Sequence, residues 1–218
     1  MIEVMKCLPA RVRRPLATAL LCGAAAVSLQ GCIGMAIGTA VMGTLAATDR
    51  RTLGAQTEDK EIVVKAETHV PQLVGDAGHV NIASLNRKVL LTGEVRDEAM
   101  KSAVEREVLA ISGVASVVNE LQIGPLSDYT SRSNDTLITG KVKASFVDEK
   151  NLYANSIKVV TERGIVYLLG RVTPREADLA TEIARGVGGV QKVVRVFELI
   201  TPDELRQLST SPGTPPAK

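Results

Sequence analysis

The chain has 218 residues, 45% of them hydrophobic, enough for one medium domain or two small ones with a real core. Aromatic residues make up only 2% and tryptophan is absent, which argues against a base-stacking nucleic-acid surface and against an aromatic sugar cleft. The formal charge of +2 comes from the amino end: residues 1–31 hold four of the 26 Lys and Arg and one of the 24 acidic residues, so the rest has 22 basic and 23 acidic residues and is no general polyanion binder.

Residues 1–31 read as a lipoprotein signal peptide. Lys6, Arg11, Arg13 and Arg14 form a positive start, and residues 15–29 are uncharged and mostly apolar. The run Leu29-Gln30-Gly31-Cys32 that follows resembles the bacterial lipobox. That resemblance implies lipid attachment at the Cys32 sulfur, cleavage before it and acylation of the new amino end. Cys7 and Cys22 lie in the signal, so no intramolecular disulfide is expected and stability must come from packing. Residues 33–48 are apolar, with Gly34 and Gly38 spaced as GxxxG, but they fall short of the roughly 20 residues a spanning helix needs. With the polar residues 49–57 they are read as a lipidated leader and linker, 32–57.

A repeat follows, Glu58–Gly124 and Asp135–Thr201, joined by residues 125–134. Each copy opens on a helical stripe: Ile62, Ala66 and Val70 in the first, Ile138, Val142 and Phe146 in the second. Asp135 suits the N-cap of the second of these helices, and Glu58, Asp59 and Glu61 complement the dipole at the start of the first. Two short strands then meet at a tight turn, Asn86-Arg87 or Arg163-Gly164, and close on Gly93-Glu94-Val95 or Gly170-Arg171-Val172. A second helix is lined by Ala99, Ala103, Val104, Val108 and Ile111, or by Ala177, Ala180, Ile183, Ala184 and Val187, and ends near Gly113 or Gly189. A last β-branched run gives a strand parallel to its predecessor across a right-handed crossover. The predicted fold class is α+β: two tandem αββαβ units, each a three-stranded mixed sheet packed on two helices. Residues 202–218 are read as a largely disordered tail.

The Gly-x-Val after each hairpin and the Gly-Val after each second helix resemble the BON domain. Two such domains behind a lipobox resemble the dual-BON outer-membrane lipoproteins, most specifically over Ser133–Thr201. The resemblance implies a non-enzymatic, lipid-anchored protein of the outer membrane facing the periplasm. Such a protein binds anionic phospholipid of the phosphatidylglycerol or cardiolipin type through the first helix of the second domain. It supports envelope integrity and gathers at division sites. Tryptophan is common in that family at the position of Leu137. Ile33 after the cysteine, rather than aspartate, agrees with export to the outer membrane.

The residues of that helix admit two readings. With Ile138, Val142 and Phe146 inward, Leu137, Gly140, Lys141, Ala144 and Val147 fall on the flank or outer face and Lys143 near the opposite edge. Exposed apolar groups beside lysines suit a shallow interfacial contact; equally, Leu137 caps the core edge and the lysines solvate the helix. Charge separates the copies: residues 58–123 hold seven basic and eleven acidic residues, residues 135–200 ten and eight. The alternative function is a periplasmic adaptor for an envelope or cell-wall assembly protein, with the acidic first domain as the contact. No catalytic residue, cofactor or nucleic-acid partner is expected. His69 and His79, with no cysteine near, read as surface or core residues rather than a metal site.

Overall fold

The computed structural model describes residues 49–210. The signal segment, Cys32, the leader 33–48 and residues 211–218 lie outside them. The order is α1 (Leu53–Val74), β1 (Gly78–Leu85), β2 (Lys88–Val95), α2 (Glu98–Leu109), β3 (Ser116–Asn119) and β4 (Gln122–Ile123), then α3 (Tyr129–Asp148), β5 (Ile157–Glu162), β6 (Ile165–Val172), α4 (Pro174–Gly186), β7 (Lys192–Leu199) and α5 (Pro202–Thr210). Each repeat is the expected αββαβ unit. In both, the hairpin strands pair antiparallel and the strand after the second helix pairs parallel to its predecessor. The first sheet has a short addition, β4, which continues alongside β2 beyond β3.

Both hairpins turn through two residues of positive φ, Asn86 and Arg87 (51° and 65°) and Arg163 and Gly164 (51° and 74°). Such a turn matches the twist of the flanking strands. The glycine after each hairpin has a steric reason: a Cβ on Gly93 would lie 2.0 Å from the His79 carbonyl oxygen, and one on Gly170 2.4 Å from that of Ser156.

The two predicted stripes face their sheets. Ile62, Ala66 and Val70 pack with Val89, Leu91, Val104 and Val108; Ile138, Val142 and Phe146 pack with Val166, Leu168, Ala180 and Ala184. On α2 the residue that packs is Met100 rather than Ala99, which is exposed.

The helix starts differ from the expected ones. Thr52 caps α1 by accepting from the Ala55 N–H, and Asp128 caps α3 by accepting from the Ser131 N–H. Asp59 and Asp135 therefore sit inside their helices, buried, where they grip the hairpin turn of their own domain. Asp59 accepts from the Asn86 and Arg87 N–H groups (2.7 and 2.8 Å), from the Ser84 hydroxyl and from Arg51. Asp135 accepts from the N–H groups of Arg163 and Gly164, both at 2.8 Å. Burial alone would raise the Asp59 pKa, but these donors outweigh it and hold the carboxyl below its usual range. Residues 202–210 are helical rather than irregular because Thr201 and Glu204 cap each other, with Pro202 opening the first turn.

The two sheets pack back to back. Ala83, Leu85 and Leu90 of the first domain meet Tyr167, Leu169 and Val196 of the second in a core of their own. Fully burying a large apolar side chain contributes ~1.5–3 kcal/mol, so this layer supplies on the order of 10 kcal/mol before entropy. Its dryness pushes the Tyr167 phenol up to about 12, with Glu120 and Glu162 adding to the effect. Polar contacts rim the layer: Asn81 donates to Glu162 at 2.5 Å and Asn86 to Glu198 at 2.7 Å. The segment before α1 is no free linker. Arg50 crosses to the second domain, donates twice to Glu176 (2.9 and 2.6 Å) and once to the Arg171 carbonyl, and stacks over Tyr153.

Candidate functional site

Helix α3 turns Asp135, Ile138, Val142 and Phe146 into the second domain. Its other side is exposed. Leu137 is 61% and Val147 71% exposed, and Gly140, Lys141, Lys143 and Ala144 are also open to solvent. At 100° per residue, Leu137, Gly140, Ala144 and Val147 lie within an arc of about 80°, and Lys141 and Lys143 flank it on opposite sides, each about 40° beyond. All six predicted residues thus share one face.

The early start of α3 adds a residue that the sequence reading placed in the linker. Tyr129, almost fully exposed, lies in the same arc as Val147, two turns before Leu137. The stripe from Tyr129 to Val147 is about 27 Å long at 1.5 Å per residue. Arg132 stands over the tyrosine ring at 6.0 Å. The signal was the Asp128-x-x-Ser131 spacing, an N-cap seven residues upstream of Asp135, where the sequence reading began the helix.

Gly140 sits in the middle of the stripe although an added Cβ would meet no atom within 4 Å. A mid-helix glycine costs about 1 kcal/mol relative to alanine, and no packing among the described residues requires it. It exposes backbone at the centre of the face.

Beside Leu137 lies a shallow polar cleft of about 490 Å³, between the flank of α3, the turn Arg163-Gly164 and the Gly188-Gly189 loop. Lys141 and Arg163 bring two cations to it, and Asn134 and Gln191 bring amides. Asp135 also reaches the cleft, but its two oxygens are engaged by the turn N–H groups. Arg163 and Gln191 were not predicted; they enter through the fold, which stacks the hairpin turn and the loop after α4 against α3.

The arrangement is an apolar strip with a cationic notch at its edge. It can insert a few side chains below a polar surface and hold an anionic group beside them. No helix among the described residues is long and apolar enough to cross a membrane.

The BON domain model matches the chain twice, over residues 58–125 and 134–201. The outer membrane lipoprotein DolP of Haemophilus influenzae is 35% identical over 184 residues, covering 84% of this chain and 95% of that protein. The 21 kDa hemolysin of Actinobacillus pleuropneumoniae is 29% identical, covering 70% and 79%. Among solved structures, the C-terminal domain of CdsD, a structural protein of the type III secretion system of Chlamydia trachomatis, aligns at 14% identity with a TM-score of 0.28, covering 65% of this chain and 98% of that one; a likeness this low carries no argument.

Proposed function

The chain belongs to the BON-domain family, and from that premise we propose that it is an outer-membrane lipoprotein that reads anionic phospholipid with helix α3 of its second domain and supports envelope integrity, including at division sites. The observation that carries this reading is the uncovered stripe Tyr129, Leu137, Gly140, Ala144 and Val147 between Lys141 and Lys143. The apolar groups enter the headgroup region, the lysines meet phosphates, and the cleft holding Lys141 and Arg163 receives one headgroup. Attachment at Cys32 makes the contact effectively intramolecular, so a weak domain–lipid affinity suffices. The balance of ten basic to eight acidic residues in the second domain, against seven to eleven in the first, favours the same side of the molecule. The name of the Haemophilus influenzae relative supports the location.

The test is vesicle binding by a chain starting at residue 47, the first of the compact unit 47–218. Phosphatidylglycerol vesicles should bind it and broaden the NMR signals of α3, and phosphatidylcholine vesicles should not. Equal binding to both, or broadening confined to the first domain, refutes the reading. The second reading is an adaptor for an envelope protein. It rests on α1, which exposes Val64 (62%) and Leu53 on the acidic first domain. Cross-linking in cells to a stoichiometric protein partner, lost with Val64→Glu and kept with Leu137→Glu, would favour it.

A further inference from the structure

Three ionisable side chains from three strands meet where the two sheets join. His79 on β1 and Glu94 on β2 are register partners in the first domain, and Glu162 ends β5 of the second. Each offers one ligand atom, and these atoms lie within 4.8 Å of one another. Glu94 is 0% and Glu162 3% exposed. The Glu94 Oε1 and the His79 Nδ1 are buried with no hydrogen-bond partner among the described residues. The other Glu94 oxygen has only the Ser127 N–H and hydroxyl, both at 3.3 Å, and the imidazole at 3.7 Å. The cation nearest Oε1 is Arg163 at 3.7 Å, outside hydrogen-bond reach and partly exposed. Arg132 spends its Nε on the Ser127 hydroxyl.

A buried carboxylate oxygen and a buried ring nitrogen left without a hydrogen bond are costly to the fold. Two buried carboxylates side by side repel as well. One imidazole nitrogen and two carboxylate oxygens are a donor set that zinc-type ions take. Zinc bonds of about 2.0–2.2 Å place tetrahedral ligands about 3.3 Å apart, so the three atoms need only small side-chain rotations to close on an ion. Asn81 already fixes Glu162 from outside the cluster at 2.5 Å, as an orienting partner does. A polar cleft of about 310 Å³, lined by His79, Asn81, Arg132, Thr139 and Glu162 among others, leads to the cluster and leaves room for a water as fourth ligand.

We propose that His79, Glu94 and Glu162 form a binding site for a zinc-type divalent ion, and that the ion ties the two domains together. Two ligands come from one domain and the third from the other, so binding holds the back-to-back sheets in register. The sequence reading set His79 aside because no cysteine stands near it; the packing of the sheets supplies the carboxylates instead.

The test uses the full chain purified in detergent, free of affinity tag, with thiols alkylated and metal removed by chelation. Titration with zinc chloride should show one saturable equivalent per chain, and the thermal midpoint should rise with zinc concentration. Glu162→Gln and Glu94→Gln should each lose that equivalent. His69→Ala should keep it, because His69 lies apart on the surface against Glu107. Since a junction variant can fail to fold, cobalt(II) is added to the wild type and followed by NMR: the paramagnetic shifts should centre on residues 79, 94 and 162. No saturable equivalent in the wild type, retention of it in either folded Glu→Gln variant, or shifts centred elsewhere would each overturn the proposal.

Discussion

Replacing Leu137 by glutamate tests the lipid-binding face where it is most exposed. At 61% exposure, much of the side chain is available to enter the headgroup region. Complete transfer of a leucine gains ~1.5–3 kcal/mol, so this share gives about 1–2 kcal/mol. A carboxylate placed at an anionic surface removes roughly another 1 kcal/mol, the counterpart of what one lysine adds. The sum, about 2–3 kcal/mol, weakens binding about 30- to 150-fold. Folding should scarcely respond, because a solvent-facing helix position moves stability by less than about 0.5 kcal/mol. The assay is co-sedimentation of the 47–218 chain with phosphatidylglycerol vesicles, with thermal denaturation of the same samples. The reverse change, Leu137→Trp, should tighten binding, since the indole favours the interface. Wild type and Leu137→Glu binding alike would refute the assignment of the face. A Leu137→Glu chain that melts many degrees lower would show that the residue serves the core instead.

Tyr129→Ala should weaken vesicle binding in the same assay, by less than Leu137→Glu, because the residue sits at the end of the stripe; an unchanged affinity would shorten the face to 137–147. Gly140→Ala should raise stability by about 1 kcal/mol in urea denaturation, since the added methyl meets open space and the helix gains. Asp135→Ala should cost ~2–4 kcal/mol by the same measurement, because two backbone N–H groups of the turn lose their acceptor. The Arg50–Glu176 contact should govern acid sensitivity. Burial would raise the Glu176 pKa, but Arg50 and Thr173 hold it below the usual 4.5. A depressed folded pKa adds stability that is present above 4.5 and is lost as pH falls. The difference in urea midpoint between wild type and Arg50→Ala should therefore be steady above about pH 5 and shrink below it; a gap that stays constant down to acid-induced unfolding would contradict this.

Much of the fold was legible because each repeat states its pattern twice. The helical stripes, the turn at Arg163-Gly164 and the glycine after each hairpin all carry local signals. Helix starts were less legible: an aspartate suits an N-cap and a buried turn clamp equally well by residue type, and only the position of the turn in space decides between them. The packing of one domain on the other was written in the sequence but easily passed over. Val89-Leu90-Leu91 and Val166-Tyr167-Leu168-Leu169 are apolar without alternation, the pattern of strands covered on both faces. The six residues predicted on α3 could be placed from helical periodicity alone. Tyr129 and the Arg163 cleft could not, since one depended on the true start of the helix and the other on loops that meet only in three dimensions.

The grip of Arg50 on Glu176 also bears on how the molecule takes load. A pull arriving along the backbone at Arg50 is not borne by the amino-terminal domain alone. It reaches the guanidinium before α1 begins, and part of it passes to the top of α4 in the other domain. Traction at the amino end therefore loads both halves of the double repeat, one through the backbone and the other through this ion pair.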